Sequence, residues 1–285
     1  MEKIEYSNIE ELFHAMAKAA CESATYKKLA FYLEKEYRKI IFMTAEEVAK
    51  NCGVSQGSVS RFCMELGFKG YSDFYKYLQK IVTEELTAPQ RYQYTKSGEK
   101  KIDDILLKET ENIRELTTIL GGELYEKMVY DIVNAEKIFL VSARMSATLL
   151  PYMKYLLDKL RDQVEIVTPD SNGWNRFYLE NQERTLIIST CFPRYSKTLV
   201  NKLIELKEEG FRIYAMTDRR VSPTIQAEIP SIVIPITTTS IFDLYSTPMA
   251  FINLTLRDVS KKIPDLDKRL EKIENYDNKY GVFYR

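Results

Sequence analysis

A short polar stretch between Ser55 and Lys69 carries side chains that suit contact with DNA. Glutamine and arginine hydrogen-bond to base edges or phosphates, serine bonds to phosphates, and glycine lets a backbone approach closely. Backbone N–H groups at a helix N-terminus also attract a phosphate. The candidate DNA-contacting residues are Thr44, Ser55, Gln56, Gly57, Ser58, Ser60, Arg61 and Lys69.

Residues 44–67 have the pattern of two short helices joined by a tight turn. Thr44 and Glu47 form the capping-box pair that begins a helix. Gly53 allows the positive φ of a turn, and Ser55 caps the second helix. That helix ends at Gly67 and has an apolar face at helical spacing. The face consists of Val59, Phe62, Cys63 and Leu66. The pattern predicts a helix-turn-helix.

Two other interpretations of this segment stay open. The helical pair can serve packing alone, with Gln56 and Arg61 merely solvated. It can instead dock on another protein, although its polar face lacks the aromatic anchors typical of protein hot spots. The formal net charge is zero, with 41 basic and 41 acidic residues. The prediction of DNA binding therefore depends on the motif and not on charge.

Composition limits the class of protein. With 285 residues, of which 45% are hydrophobic and 29% charged, the chain is typical of a soluble protein of two domains. Its four cysteines form no C-x-x-C pair, which favours a reducing cytosol and gives no sign of a zinc site. The polar start lacks the apolar core of a signal peptide, and no apolar run is long enough to span a membrane. We expect a cytoplasmic protein without metal, cofactor or membrane partner.

Strand-like segments alternate with helix-length segments in the second half of the chain. Short apolar runs at residues 138–141, 164–167, 186–189, 212–216 and 232–236 predict a doubly wound parallel sheet flanked by helices. The first 80 residues show helical periodicity only. We expect an all-α helix-turn-helix domain over residues 1–82, a polar linker over 83–104 and an α/β domain over 105–285.

The last long helix is predicted over residues 241–260, and it has more apolar residues than one core face needs. The excess fits either burial within the chain or contact with a second copy. Trp174, the only tryptophan, lies in a predicted loop as a core residue or an interface anchor. The charged residues from Pro264 onward indicate a surface helix.

Residues 53–71 read G-V-S-Q-G-S-V-S-R-F-C-M-E-L-G-F-K-G-Y. This run resembles the signature of the RpiR family of regulators, v-S-x-x-[ST]-v-x-R-F-c-x-x-L-G-[FY]-x-G-[FY]. The resemblance extends over nearly the whole chain, because the family's second domain is a sugar isomerase (SIS) fold with this order of strands and helices. It implies a cytoplasmic transcription factor, usually homo-oligomeric, that responds to phosphorylated sugars.

The same resemblance places a ligand at the loops after the first and third strands, where open α/β sheets bind ligands. The first loop, residues 142–146, keeps only Ser146 of the typical G-x-G-x-S. The second loop, residues 189–198, clearly keeps only Ser189 of S-x-S-G-x-T, and Phe192 stands where that motif has glycine. The candidate effector-binding residues are Ser142, Arg144, Ser146, Ser189, Cys191, Arg194, Ser196 and Thr198.

Two consequences of these departures stay open. Without glycine, backbone N–H groups have less room to wrap a phosphate, but Arg144 and Arg194 can bind an anion bidentately. Alternatively, Phe192 plugs a vestigial pocket and the arginines form surface salt bridges. Asp218, in a T-D…S-P loop that resembles the family's, either orients a ligand or forms a turn.

These observations predict a DNA-binding transcriptional regulator of carbohydrate-metabolism genes that a small anionic effector, such as a phosphorylated sugar, modulates. Its expected partners are a double-stranded DNA operator, the effector and a second copy of itself, in a homodimer or tetramer joined through the α/β domains. The rival interpretation is a sugar-phosphate isomerase with an added helical domain. An isomerase needs a placed general base. The only histidine, His14, lies outside the α/β domain, so no catalytic residue is assigned.

Overall fold

The computed structural model describes residue 6 and residues 9–41, 43–85, 89, 91–92, 102–238 and 242–284. The chain divides into two compact units. The first comprises Met1–Lys100 with Thr238–Phe242, and the second comprises Lys101–Thr237 and Asp243–Arg285. Among the described residues, no helix has both the length and the apolar character needed to cross a membrane.

The first unit is built from helices around one apolar core. The described helices are α1 (Ile9–Ala19), α2 (Ala24–Ile40), α3 (Ala45–Cys52), α4 (Gln56–Glu65) and α5 (Tyr71–Glu85). Each of the first four turns one apolar stripe inward, so that residues such as Leu12, Leu33 and Phe62 are completely buried. The ring of Tyr26 meets that of Phe62 edge-on at 5.1 Å. The prediction of an all-α first domain is confirmed.

The second unit is a parallel sheet covered by helices. Its main strands are β1 (Lys137–Ser142), β2 (Val164–Val167), β3 (Thr185–Thr190), β4 (Arg212–Thr217) and β5 (Ser231–Val233). Two further short strands are β6 (Thr237–Thr238) and β7 (Asp243–Leu244). Its α-helices are α6 (Ile102–Ile119), α7 (Glu123–Asn134), α8 (Leu149–Leu160), α9 (Lys197–Glu208), α10 (Pro223–Gln226), α11 (Ser246–Ser260) and α12 (Leu266–Lys279). Arg144–Thr148 and Asn172–Leu179 form 3-10 helices.

The five main strands lie in the order β2-β1-β3-β4-β5 and all pair in parallel. From β1 the chain goes to β2 on one side and then crosses to β3 on the other, so β1 and β3 flank the topological switch point. Their register pairs Ser142 with Thr190. The loops that follow both strands therefore begin side by side.

Side chains of the sheet alternate between two cores. Leu140 and Ile188 pack on one face with residues of α7, α8 and α11, whereas Phe139 and Ile187 pack on the other with α9. Trp174 belongs to the second core, where it is 5% exposed. The predicted doubly wound sheet is confirmed, and the single tryptophan is a core residue.

The structure differs from the sequence prediction at the last long helix. α11 begins at Ser246 rather than at residue 241, and Leu244 lies in strand β7. Apolar periodicity alone predicts a helix that is too long at its N-terminal end. Pro248 is tolerated only in the first turn of a helix, and it places the helix start just before itself.

The ends of two helices reach into the predicted linker. Of residues 83–104, the first three belong to α5 and the last three to α6, while 86–88, 90 and 93–101 lie outside the described residues. The domain boundaries stay a prediction.

The charged C-terminal segment forms a surface helix, as predicted, because no residue of α12 is buried. Arg269 anchors it by donating to the carbonyl oxygens of Asp158 at 2.8 Å and Lys159 at 3.1 Å, and by pairing with Asp162 at 2.9 Å. These donors satisfy carbonyls that the end of α8 leaves open.

A buried carboxylate fixes the start of α11. Glu109, on α6, is 5% exposed. Its Oε1 accepts hydrogen bonds from the Ser246 hydroxyl at 2.6 Å, the Thr247 N–H at 2.9 Å and the Thr247 hydroxyl at 2.5 Å. The N-terminal end of a helix dipole also favours a negative charge. Burial raises the pKa of Glu109, but these hydrogen bonds and one with Thr237 outweigh burial and hold the pKa below its ordinary value.

We expect Glu109→Gln to lower the free energy of unfolding of the second unit by about 1–2 kcal/mol at neutral pH, because the charge at the helix terminus is lost. The difference should shrink as the pH falls below the ordinary Glu value of 4.5. A lowered native pKa gives stability that is present above the unfolded pKa and lost as the pH falls through the native one. Since Trp174 is the only tryptophan, urea unfolding followed by its fluorescence reports on this unit.

The matched control is Glu115→Gln, since Glu115 is exposed on the same helix. Equal losses in both variants, or a loss in Glu109→Gln that does not change with pH, would contradict the role given to Glu109.

Candidate functional sites

Helices α3 and α4 form the predicted helix-turn-helix. The Thr44 N–H donates to Glu47 Oε2 at 2.7 Å, and the Glu47 N–H donates to Thr44 Oγ1 at 3.2 Å. Gly53 has a φ of +63°, which is cheap only for glycine. Ser55 Oγ then accepts from the Ser58 N–H at 3.2 Å and begins α4. The predicted capping box, turn and cap are confirmed.

One face of α4 is locked into the core. The predicted apolar residues are at most 2% exposed, and these are Val59, Phe62, Cys63 and Leu66. Burial raises the pKa of the Cys63 thiol to about 12, so this cysteine stays protonated and unreactive. The burial of this face determines which side chains the helix presents to solvent.

The opposite face of α4 presents polar groups. Gln56, Gly57 and Arg61 are exposed, whereas Ser58 and Ser60 are half-buried. Arg61 Nη2 lies 3.4 Å from Ser58 Oγ, so its side chain lies back along one turn of the helix. The remaining candidates are all exposed; Thr44 and Ser55 lie at the starts of α3 and α4, and Lys69 lies between α4 and α5.

Gly57 has no structural reason to be glycine. A Cβ at this position would meet only the Ser55 hydroxyl, at 3.9 Å. Glycine in a helix costs about 0.5–1 kcal/mol relative to alanine. Because Gly57 has no side chain, nothing projects from the exposed surface of α4 where the helix begins.

In the second unit, the hydroxyls at the ends of β1 and β3 bond to one another. Ser142 Oγ donates to the Thr190 carbonyl at 2.6 Å. The Thr190 hydroxyl lies 2.9 Å from Ser142 Oγ and 3.0 Å from the Ser146 carbonyl. All three residues are buried. Two predicted effector-binding residues, Ser142 and Ser146, are therefore together, but inside the protein.

Phe192 fills the space beside this cluster. Its N–H donates to Ser146 Oγ at 3.2 Å, and its ring, which is 1% exposed, packs 5.3 Å from that of Tyr245. The Tyr245 hydroxyl lies 3.3 Å from Ser146 Oγ. The position where the resemblance expects glycine thus holds a core side chain, as the interpretation of a plugged pocket expects.

Ser189 and Cys191 lie away from these hydroxyls. Alternation along β3 puts Ser189 on the face opposite to Thr190. Its buried hydroxyl has no hydrogen-bond partner among the described residues. Cys191 belongs to the core on α9's side of the sheet, and burial raises the pKa of its thiol to about 12. The structure does not bring these two residues together with Ser142 and Ser146.

The other candidates lie at the surface of the same two loops. Arg144 and Arg194 are exposed, with φ of +59° and +58°. Ser196 caps α9 by accepting from the Leu199 N–H at 3.3 Å, and Thr198 is exposed on its first turn.

Sequence reasoning missed how the second loop is anchored. The Tyr195 hydroxyl donates to the Asp218 carboxylate at the end of β4, and Arg219 pairs with the same carboxylate at 2.7 Å. The Arg219 guanidinium also lies 5.8 Å from the centre of the Tyr195 ring. The only sequence signal was Asp218 in its turn motif, and nothing in the motif pointed to Tyr195. Among the residues the structure describes, no three His, Cys, Asp or Glu side chains cluster as a metal site needs.

Comparison with known proteins agrees with this division. The helix-turn-helix domain of the rpiR family matches residues 8–85, and the SIS domain matches residues 131–257. An uncharacterized HTH-type transcriptional regulator from Clostridium perfringens is 22% identical over 200 residues, which cover 69% of this chain and 71% of that protein.

Two solved structures share the fold. The Vibrio vulnificus NanR protein complexed with ManNAc-6P is 14% identical, with a TM-score of 0.56 over 96% of this chain and 100% of that one. The sugar isomerase domain of an RpiR transcription factor from Sphaerobacter thermophilus is 22% identical, with a TM-score of 0.51 over 58% of this chain and 95% of that one. The chain thus has a helix-turn-helix domain of the rpiR family followed by a SIS domain, the combination expected of a transcription regulator.

Proposed function

We propose that this regulator binds operator DNA through the exposed face of α4, and that a small anionic carbohydrate derivative bound by the SIS domain controls it. The observation that carries the first half is the contrast between the two faces of α4. One face is buried in the core, and the other presents Gln56, Gly57 and Arg61, together with one large apolar side chain, Met64, which is 48% exposed. Such a surface fits a groove lined by phosphates and base edges.

The start of α4 supplies the positioning contacts. The first N–H groups of a helix carry partial positive charge and bind a phosphate. Gly57 lies at this end, where the absence of a side chain lets the backbone approach DNA closely. Thr44 and Lys69 contribute further phosphate contacts. Arg61, one turn further along, reads base edges or an adjacent phosphate.

A single helix-turn-helix reads only a few base pairs, so specificity requires two copies on a symmetric operator. We propose a homodimer or tetramer joined through the α/β domains. Effector binding then shifts the equilibrium between arrangements of the paired DNA-binding domains. Such a regulator acts in the cytoplasm on genes of carbohydrate metabolism.

The fold and a relative both support the proposed effector and its position. Ligands of doubly wound sheets bind beyond the carboxyl ends of the strands at the switch point, which here lies between β1 and β3. The similar NanR structure holds ManNAc-6P, a phosphorylated sugar. We propose an effector of the same broad class for this chain.

An isomerase is the weaker alternative. Its chemistry needs a general base whose pKa lies near the working pH. Glu109, a buried carboxylate on α6, has a lowered pKa, and its Oε1 accepts hydrogen bonds at the start of α11. Its contacts suit a structural role, which supports regulation rather than catalysis.

We expect Arg61→Ala to weaken binding to operator DNA by roughly tenfold or more, because one base or phosphate contact is worth about 1–3 kcal/mol. The probe is a duplex enriched from a random library by the wild-type protein, and affinity is measured by fluorescence anisotropy at several salt concentrations. A phosphate contact reduces the salt slope by about one, whereas a base contact relaxes sequence preference.

The matched control for Arg61 is Lys28→Ala, which removes one exposed positive charge from α2. Equal affinity of Arg61→Ala and wild type would remove Arg61 from the contact set. Failure of the wild-type protein to enrich any duplex would contradict DNA binding itself.

Gly57→Ala should raise the stability of the first unit and lower its affinity for DNA. We expect the first unit to be more stable by about 0.5–1 kcal/mol, because alanine favours the helix and the added Cβ has room. DNA affinity should fall, since the methyl group separates the helix from the backbone it approaches. Circular dichroism during thermal unfolding and anisotropy measure the two effects. A more stable variant with unchanged affinity would show that DNA does not approach Gly57.

Light scattering coupled to gel filtration should give at least twice the chain mass of 33.3 kDa at micromolar concentration. The enriched duplexes should contain an inverted repeat with half-sites about 10 base pairs apart, or a multiple of this. A monomer that binds a single half-site would contradict the symmetric arrangement.

A further inference from the structure

Two arginines occupy equivalent places on the loops that flank the switch point. Arg144 follows β1 and Arg194 follows β3, and the two loops are bonded to each other through the Phe192 N–H and Ser146 Oγ at 3.2 Å. Both side chains are exposed beyond the carboxyl ends of neighbouring strands. This is the place where doubly wound sheets hold a ligand.

Both arginines have a backbone conformation that favours glycine. Their φ values are +59° and +58°, and a residue other than glycine in this region costs about 1 kcal/mol or more. Strained residues of this kind persist where surrounding structure holds them, and they cluster at ligand-binding sites. Gln163, Glu228 and Asp265 also have a positive φ, so the position of the two arginines at the switch point, and not their φ alone, distinguishes them.

Neither arginine has an ion pair or a side-chain hydrogen bond within the part of the chain that the structure describes. Two other arginines of this unit are engaged: Arg212 pairs with Asp131 at 2.9 Å, and Arg184 pairs with Glu136 at 2.9 Å. The surface salt bridges that a vestigial pocket was expected to leave at Arg144 and Arg194 are therefore not observed. Their guanidinium groups are available to a ligand.

The sequence around these arginines is locally positive in a chain of zero net charge. Residues 142–157 and 190–204 contain five basic residues and no acidic ones: Arg144, Lys154, Arg194, Lys197 and Lys202. Lys154 and Lys202 pair with Asp158 and Glu205 from outside these segments. The remaining three charges attract an anion to this edge of the sheet.

The second loop is rigid on both sides of Arg194. Phe192 is buried against Tyr245, Tyr195 is held by Asp218, and Ser196 caps α9. These contacts hold the left-handed backbone and fix the direction in which Arg194 leaves the loop. Because the backbone at Arg194 is held in place, binding a ligand there orders only the arginine side chain and not the loop.

We infer that Arg144 and Arg194 form an oxyanion site on the solvent-exposed surface of these two loops. The site does not extend into the interior that the Phe192 side chain fills. The inference rests on the proposed effector function of the SIS domain and names the chemistry of its ligand. The ligand is a small carbohydrate derivative with a phosphate or carboxylate group, which a guanidinium binds through two parallel hydrogen bonds. The inner hydroxyls take no part, because those of Ser142 and Thr190 bond to each other and that of Ser146 bonds to the Phe192 N–H and the Tyr245 hydroxyl.

The test measures thermal unfolding of the full-length protein by Trp174 fluorescence, with four probes at millimolar concentration. The probes are inorganic phosphate, ManNAc-6P, unphosphorylated N-acetylmannosamine and gluconate, each against KCl of equal ionic strength. The variants are Arg144→Gly and Arg194→Gly, with Arg114→Ala as control, since Arg114 is exposed on α6 outside both loops.

We expect at least one oxyanion to raise the melting temperature of wild type and of Arg114→Ala, as a ligand of the native state does. Both glycine variants should lose most of this shift, and their affinity by calorimetry should fall by about tenfold or more. Without ligand, their melting temperatures should equal or exceed that of wild type, because glycine accepts a positive φ. A response to ManNAc-6P alone assigns a phosphate, and a response to gluconate alone assigns a carboxylate.

Three results would overturn the inference: no response of wild type to any oxyanion, an undiminished response in both glycine variants, or an equal response to the neutral sugar. DNA binding of the same preparations separates the two proposals. Retained DNA binding with any of these results leaves the regulator proposal standing, whereas a protein that responds to the anion but binds no DNA contradicts that proposal alone.

Discussion

The parallel pairing of β1 with β3 is the constraint on which the second unit depends. Because the chain leaves β1 toward one edge of the sheet and β3 toward the other, the two loops diverge after starting at paired residues, Ser142 and Thr190. Every group discussed for the effector site comes from these loops or packs against them. The same pairing brings the hydroxyls of Ser142 and Thr190 within hydrogen-bond distance, and it thereby uses the groups that would otherwise face a ligand.

The buried and the exposed parts of this site differ in how their polar groups are engaged. Behind Phe192, the hydroxyls of Ser142, Thr190 and Ser146 are buried and hydrogen-bonded within the protein. In front of it, Arg144 and Arg194 are exposed and conformationally strained. A fold that binds an anion with backbone N–H groups needs glycine for close approach. When a large side chain replaces glycine, the backbone N–H groups have less room to bind an anion. The positive charge that a ligand can reach is then carried by long side chains at the surface of the loops.

The helix-turn-helix follows a simpler rule. Once Val59, Phe62 and Cys63 enter the core, the spacing of a helix fixes that Gln56, Gly57 and Arg61 face solvent. Local hydrogen bonds at Thr44 and Ser55 set where each helix begins. The residues that anchor α4 in the core thus differ from those proposed to contact DNA, so a substitution on the exposed face can test DNA binding without disturbing the fold.

The sequence alone determined the features that arise from local contacts and periodicity. These are the two caps and the turn of the helix-turn-helix, the apolar face of α4, and the alternation of strands and helices that produces a doubly wound sheet. Periodicity failed at the start of α11, where Glu109 from a distant helix caps Ser246 and Thr247. Only the tertiary structure decided that Ser189 and Cys191 lie apart from Ser142 and Ser146, and that Tyr195 is held by Asp218. It also decided that Arg144 and Arg194 have no ion pair with any of the described residues. Each of these depends on which residues meet across the sheet and its loops, and such contacts are fixed by packing between segments far apart in the chain.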